Sequence, residues 1–250
     1  MYINDTHILA YLVIMILGGM VGYFLNWCNY RLPDEKKIFC KEYFTERKKI
    51  KTNYLLIIAT AALYVAILYK YGIHWEIQKD LGLLMYLTLT PMILSAFVID
   101  YQLQIIPNRL NLTIFETGLV FAFLYGITSN LTIVINMILG SLVGAGIFLV
   151  ITLIGGAIAG KEAMGFGDVK LMGALGLYFG MVNIIVISVI AFLLGAIISV
   201  ILLASKKKKT DEYIPFGPFI VLATLIAMIV PSEALLLILF KIFTLGMYKG

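Results

Sequence analysis

The sequence predicts an all-α polytopic membrane protein, a helix bundle with about eight transmembrane helices. Hydrophobic residues make up 62% of the 250 residues, charged residues only 13%, and the mean hydropathy is +1.00. Soluble domains carry about 25% charged residues, and a soluble fold of this size could not bury so much apolar surface. The apolar residues also form long continuous runs, unlike the alternating pattern of an outer-membrane barrel. These features exclude a soluble enzyme, a secreted disulfide scaffold and a disordered chain.

The apolar runs define the predicted crossings in chain order. One crossing needs about 20 apolar residues, so the run 171–203 is too long for a single helix. It is interrupted at Gly180-Met181-Val182-Asn183, which predicts a tight hairpin of two short helices. The last stretch, 234–246, is short and contains Lys241, which favours an interfacial helix over a further crossing. The eight predicted crossings are 8–25, 54–71, 81–99, 112–127, 131–158, the two arms of 171–203, and 215–230.

The basic residues predict the orientation of the bundle. Positive-inside bias places the loop between the first two runs and the block Lys206–Lys209 on the cytoplasmic side. Eight crossings then put the segments 100–111 and 160–170 on that side too, and these segments carry Arg109, Lys161 and Lys170. The basic residues are therefore topology signals in a cell membrane, and the lipid bilayer is the expected partner, not nucleic acid.

Small residues predict where helices approach closely. Gly140, Gly144 and Gly156, with Ala145, form one small-residue face, and Gly173, Gly176 and Gly180 form another on the following run. Such faces are typical of close helix packing in membranes.

Three acidic residues touch the predicted crossings. Asp100 ends the third, Glu116 lies within the fourth and Asp168 opens the sixth. An ionisable side chain at membrane depth is costly, so each is a candidate functional residue. Each carboxylate could instead solvate or cap a helix end at the interface.

The predicted topology brings Asp100 and Asp168 to the same side of the membrane. Pro107 breaks the helix after Asp100, and Gly165 and Gly167 permit backbone geometry and close packing beside Asp168. Two carboxylates brought together cannot both ionise easily, so one keeps a proton. Such a pair can activate water for attack on an amide while the protonated partner assists the carbonyl oxygen. This predicts peptide hydrolysis without a metal or a covalent intermediate.

Four patches of the chain form a recognisable pattern. They are Asp100 with Ile106-Pro107-Asn108, then Met164-Gly165-Phe166-Gly167-Asp168-Val169-Lys170-Leu171, then Ile214-Pro215-Phe216-Gly217-Pro218-Phe219, and, nearer the amino terminus, Gly22-Tyr23-Phe24-Leu25-Asn26 with Arg31-Leu32-Pro33. The bare Gly-x-Gly-Asp recurs by chance, whereas the eight-residue block around it, with the other patches in order, is specific. With these patches the chain resembles the type IV prepilin peptidases, members of the Gly-x-Gly-Asp intramembrane aspartyl proteases, over nearly its whole length.

The resemblance implies that Asp100 and Asp168 are the catalytic pair. It implies an aspartyl protease membrane core over residues 80–250, preceded by an amino-terminal helix pair with a basic cytoplasmic loop over residues 1–79. The implied substrates are prepilin or pseudopilin precursors, whose short basic leader is removed at the cytoplasmic face. The implied site-shaping residues are Gly165, Phe166, Gly167, Lys170, Pro107, Asn108, Pro215, Phe216, Gly217 and Pro218.

The resemblance also bears on cofactors. Many such enzymes methylate the new amino terminus with S-adenosylmethionine, and larger relatives carry two Cys-x-x-Cys pairs in the first cytoplasmic loop. Here that loop runs from about residue 26 to residue 53 and offers Cys40 but no such pair. This departure predicts no metal site and argues against the methyltransferase activity. Proteolysis itself needs no cofactor.

Two other classes compete with the enzyme. A transporter or channel could use Asp100, Glu116 and Asp168 to bind cations or relay protons, but such a site should lie near the bilayer midplane. These aspartates are predicted at one face, and the chain shows no internal repeat. A purely structural membrane subunit would not need the intact aspartate motifs.

Overall fold

The computed structural model describes residues 2–3, 6–40, 43–47, 50–159, 164–205 and 214–244. A short antiparallel pair, β1 (Tyr2–Ile3) and β2 (Thr6–His7), precedes the helices and was not predicted. Among the described residues, six helices are long and apolar enough to cross a membrane, which confirms the all-α polytopic class. The helices are α1 (Ile8–Arg31), α2 (Tyr43–Glu46), α3 (Tyr54–Tyr71), α4 (Ile77–Leu103), α5 (Asn108–Thr128), α6 (Leu131–Ala159), α7 (Phe166–Ala204), α8 (Gly217–Ile229) and α9 (Ser232–Phe243).

The longest helix, α7, folds back on itself. It is broken at Gly180, whose φ of 71° and ψ of 179° favour glycine. A Cβ atom at Gly144 of α6 would lie 2.5 Å from Met172 O and 2.9 Å from Ile184 Cγ1. Residues on opposite sides of the break therefore meet the same point of α6, which confirms the predicted hairpin. The two arms of α7, with α8 and the other long helices, match the number of helical segments predicted.

Small residues bring α6 and α7 together, as predicted. A Cβ atom at Gly140 would lie 2.6 Å from the carbonyl carbon of Gly180, and one at Gly176 would collide with Gly140 O. At Gly173 it would lie 3.1 Å from the Cβ atom of Ala145. The close approach is possible because these positions lack side chains that would separate the two backbones.

The amino-terminal helices form a similar close pair. A Cβ atom at Gly18 would lie 2.8 Å from Ala61 Cα, and one at Gly22 would lie 2.7 Å from Ile57 Cα, so α1 lies directly against α3. Asn26 fixes the register at the end of this contact, because its Oδ1 accepts a hydrogen bond of 2.6 Å from the Asn53 N–H.

Several helix ends lie beyond the apolar runs that predicted them. Helix α1 continues to Arg31, so the loop expected from about residue 26 begins later. Trp27, in this extension, is fully buried, and its Nε1 donates a hydrogen bond to Ile38 O. Helix α4 begins at Ile77, so the predicted division between residues 79 and 80 falls in its first turn and stays a prediction. Polar residues at a helix end can continue the helix outside the hydrocarbon, which run length does not reveal.

Two predictions concern a helix that is too short to cross the membrane and basic residues that the structure does not describe. Helix α9 has 12 residues and is about 18 Å long, which is too short to span the bilayer. Its interfacial position stays a prediction. Lys161 and the block Lys206–Lys209, used for the orientation, lie outside the described residues.

The core lies where α4, α5, α7 and α8 meet. Fully buried apolar side chains from each of these helices fill it, including Ile93, Ile114, Leu171 and Ile220. The end of α4 and the beginnings of α5, α7 and α8 lie at one end of this core.

Candidate active site

The structure brings Asp100 and Asp168 together. Asp100 lies in the last turn of α4 and Asp168 in the first turn of α7, and both are only 4% exposed. They line one cavity of about 440 Å³, and the charge of Asp100 acts on Asp168. Two carboxyl groups that the sequence could place only on one side of the membrane thus share a single site.

Asp100 is held by the beginning of α8. The Gly217 N–H donates a hydrogen bond of 2.9 Å to Asp100 Oδ2. The first N–H groups of a helix have no partner within the helix, and the helix dipole favours an anion there. A Cβ atom at Gly217 would lie 2.5 Å from the same oxygen. Glycine is therefore needed here for close approach.

The residues around Gly217 anchor this turn. The ring of Phe216 lies 5.1 Å from that of Phe192, 5.8 Å from Phe219 and 5.9 Å from Phe148. Pro218 is buried at the start of α8, and the half-buried Pro215 precedes the turn. Phe216 therefore lies outside the cavity lining, and its ring packs between these aromatic rings beside the turn that holds Asp100.

The patches around Pro107 and Asp168 are also joined. Lys170 Nζ donates a hydrogen bond of 2.7 Å to Asn108 Oδ1, and both residues line the cavity. Pro107 occupies the N-cap position of α5, so the turn that ends α4 leads directly into these contacts. The sequence predicted each of these residues as part of the site, and the structure brings them together.

The expectation for the glycines before Asp168 holds in one part and fails in the other at Gly167. Its backbone angles are helical within α7, so the expected special backbone geometry is wrong, whereas the expected close packing is confirmed. A Cβ atom at Gly167 would lie 3.2 Å from Ile106 Cβ, so glycine allows the two segments to touch. The Asp168 N–H donates a hydrogen bond of 3.1 Å to Gly165 O, which sets the first turn of α7. Phe166 and Gly165 line the cavity.

One carboxylate oxygen has unused hydrogen-bonding capacity. Asp168 Oδ1 is buried and has no hydrogen-bond partner among the described residues. Buried polar atoms usually have partners, so such an oxygen is suited to bind a water molecule or a substrate group. Glu116, by contrast, is exposed on α5 and does not line this cavity.

Two residues near the site were not singled out from the sequence. Gln104 ends α4 with a left-handed φ of 58° and lines the cavity. Asn111 is buried, and its Nδ2 donates a hydrogen bond of 3.0 Å to Gly167 O. The one available signal for Asn111 is its spacing from Asn108, since residues three apart share a helix face.

The described residues offer little for a metal. They contain no group of three or more His, Cys, Asp and Glu side chains that could hold an ion. Cys28 is buried and Cys40 is half-buried.

Comparisons with known proteins find similarity to a single family of peptidases. The model of the type IV leader peptidase family matches residues 87–200. The chain is 30% identical to the prepilin leader peptidase/N-methyltransferase of Legionella pneumophila, over 87% of this chain and 90% of that protein. It is 31% identical to the protein of the same name from Aeromonas hydrophila, over 72% of this chain but only 59% of that relative. The corresponding match in Pseudomonas aeruginosa is 30% identical, over 70% of this chain and 57% of the relative. No solved structure is significantly similar to the chain.

Proposed function

Because the chain belongs to the type IV leader peptidase family, we propose that it is a membrane-embedded aspartyl endopeptidase that removes the basic leader from prepilin or pseudopilin precursors. The observation that carries this proposal is the pair of buried carboxyl groups, Asp100 and Asp168, in one cavity. They come from the end of one membrane helix and the start of another.

In the proposed reaction the two carboxyl groups share one proton. The ionised group removes a proton from a water molecule as that water attacks the scissile amide carbon, and the protonated group donates its proton to the carbonyl oxygen. Asp100 is oriented by the Gly217 N–H, whereas Asp168 Oδ1 is left to hold the water or the proton. The leaving amine then takes the proton that the first carboxyl group removed from water, and the intermediate returns its hydroxyl proton to the second carboxyl group. This completes hydrolysis and restores the pair without a covalent intermediate.

The proposed location is the cell membrane, with the active site at the cytoplasmic face. The basic residues Arg31, Lys36, Lys51 and Arg109 support this orientation, because they lie in or beside the loops at the end of the bundle that contains the cavity. A leader exposed to the cytoplasm would then meet the carboxyl pair directly.

Methylation of the product is not part of this proposal. The relatives' names include an N-methyltransferase activity, which would need S-adenosylmethionine. The first loop of this chain lacks Cys-x-x-Cys pairs, and we propose that leader removal is its activity, with no cofactor and no metal.

The experiment is cleavage of a prepilin precursor by the purified full chain in proteoliposomes. Asp100→Asn and Asp168→Asn should each lower kcat/KM by at least about 1,000-fold, since an amide cannot share the proton. Glu116→Gln is the matched control and should retain most activity, because Glu116 lies outside the cavity. Membrane insertion and thermal stability should be similar in all three variants. Substantial cleavage by either Asn variant would refute the assignment of the pair.

A further inference from the structure

A second cavity adjoins the carboxyl pair. It is a groove of about 550 Å³ between α5, α6 and the first arm of α7. It shares Asn108 and Lys170 with the cavity that contains the two aspartates, so the two spaces adjoin at these residues. Apart from its rim the groove is lined mainly by apolar and small side chains, among them Leu112, Phe115, Ala145, Gly173 and Ala174.

One side chain that lines the groove carries a buried polar atom with no hydrogen-bond partner among the described residues. Asn111 is 3% exposed and lines the groove. Its Nδ2 donates to Gly167 O, and because a carbonyl oxygen can only accept, this bond fixes the orientation of the amide. Oδ1 then has no hydrogen-bond donor among the described residues. A buried, unpaired acceptor on a side chain that lines an apolar groove is suited to a ligand that brings an N–H group.

We propose that this groove binds the apolar segment that follows the scissile bond of the substrate, and that Asn111 Oδ1 accepts a hydrogen bond from the substrate backbone. The inference rests on the proposed function. A peptide must unwind at the bond to be cut, and unwound backbone in a membrane needs partners for its N–H groups. Asn111 supplies one such partner beside the cavity, which makes it a positioning residue.

Charge determines which side of the scissile bond enters the groove. Arg109 and Lys170 lie at its rim. Arg109 is held there, because it donates hydrogen bonds of 2.8 Å to Glu35 O and 3.2 Å to Lys36 O. Two fixed cations repel a lysine- or arginine-rich leader but not an apolar helix. The groove therefore suits the segment after the cleavage site.

Photocrosslinking tests the location. In one variant a photoreactive phenylalanine replaces Phe115, which lines the groove and is 37% exposed. In a matched control it replaces Phe123 on the same helix, which is 68% exposed outside the groove. The full chain, in proteoliposomes of zwitterionic lipid, is mixed with a precursor peptide. We expect position 115 to capture the apolar segment of the peptide, and position 123 to capture lipid. Equal capture of peptide at both positions, or of lipid alone at position 115, would overturn the proposal.

Backbone methylation tests the role of Asn111. Precursor peptides carry one N-methylated amide at each of the first positions after the scissile bond. One of these should raise KM about tenfold in the wild type with little change in kcat. Asn111→Leu should raise KM of the unmodified peptide by a similar factor. With this variant, the same methyl group should cause no further rise in KM.

The outcomes separate the two proposals. If the wild type cleaves but no N-methyl group raises KM, Asn111 does not contact the substrate. The same conclusion follows if the increases in KM caused by the methyl group and by Asn111→Leu are fully additive in free energy. If Asn111→Leu does not fold, the N-methyl series in the wild type and the crosslinks decide alone. If the wild type does not cleave any precursor, the proposed function fails before the groove is reached.

Discussion

The contact between Gly217 and Asp100 gives the sharpest prediction. In Gly217→Ala the new Cβ atom would lie 2.5 Å from Asp100 Oδ2 and 3.0 Å from its carboxyl carbon. Ordinary contacts of carbon with other heavy atoms are about 3.5 Å or longer, so the carboxyl group must move by about 1 Å. A displacement of that size can cost about 100-fold in rate. Lengthening the 2.9 Å bond from the Gly217 N–H acts in the same direction.

The assay is the steady-state cleavage of a precursor peptide, with the folded fraction measured separately. We expect kcat/KM to fall about 100-fold. The melting temperature should fall by only about 5 °C, since overpacking costs about 1–3 kcal/mol. A variant that keeps more than half of the wild-type activity at normal stability would refute the reasoning.

Two other glycines provide matched controls. No described atom lies within 4 Å of a Cβ atom at Gly146, so Gly146→Ala should change neither activity nor stability. In Gly176→Ala the new atom would collide with the backbone of Gly140 and Ser141. This variant should lose more stability than Gly217→Ala, but each folded molecule should cleave at a nearly normal rate.

Three further predictions concern packing, metals and topology. In cleavage assays, Gly167→Val should lower kcat/KM about 100-fold and Gly167→Ala much less. The first added carbon lies 3.2 Å from Ile106 Cβ, and a β-branched side chain adds further atoms at this contact. Cleavage should survive strong chelators and the double change Cys28→Ser, Cys40→Ser; stoichiometric zinc in purified protein, lost in the double variant, would contradict this. A single cysteine at Gln102 should react with impermeant reagents only from inside, and one at position 75, 27 residues earlier in the chain, only from outside; the reverse pattern would invert the topology.

Local features of the sequence predicted local features of the fold. Glycine at position 180 marked the break in α7, because its φ of 71° disfavours other residues. The helix ends were less well predicted, since the burial of Trp27 extends α1 and is a property of the packed loop. The expectation for Gly167 was confirmed for close packing and wrong for special backbone geometry: the glycine is needed for its neighbour Ile106, which lies on another segment.

By itself the sequence determined that the chain is a helical membrane protein and which carboxylates are candidates. Run length, charge and motif order are properties of the linear sequence, and they do not depend on how the helices pack. Only the tertiary structure decided that Asp100 accepts a hydrogen bond from Gly217, 117 residues away, and that Asn111 bonds to Gly167, 56 residues away. The groove beside the carboxyl pair likewise exists only after α5, α6 and α7 meet. These contacts depend on how several helices pack at once, and no local pattern encodes the distance between residues so far apart in the chain.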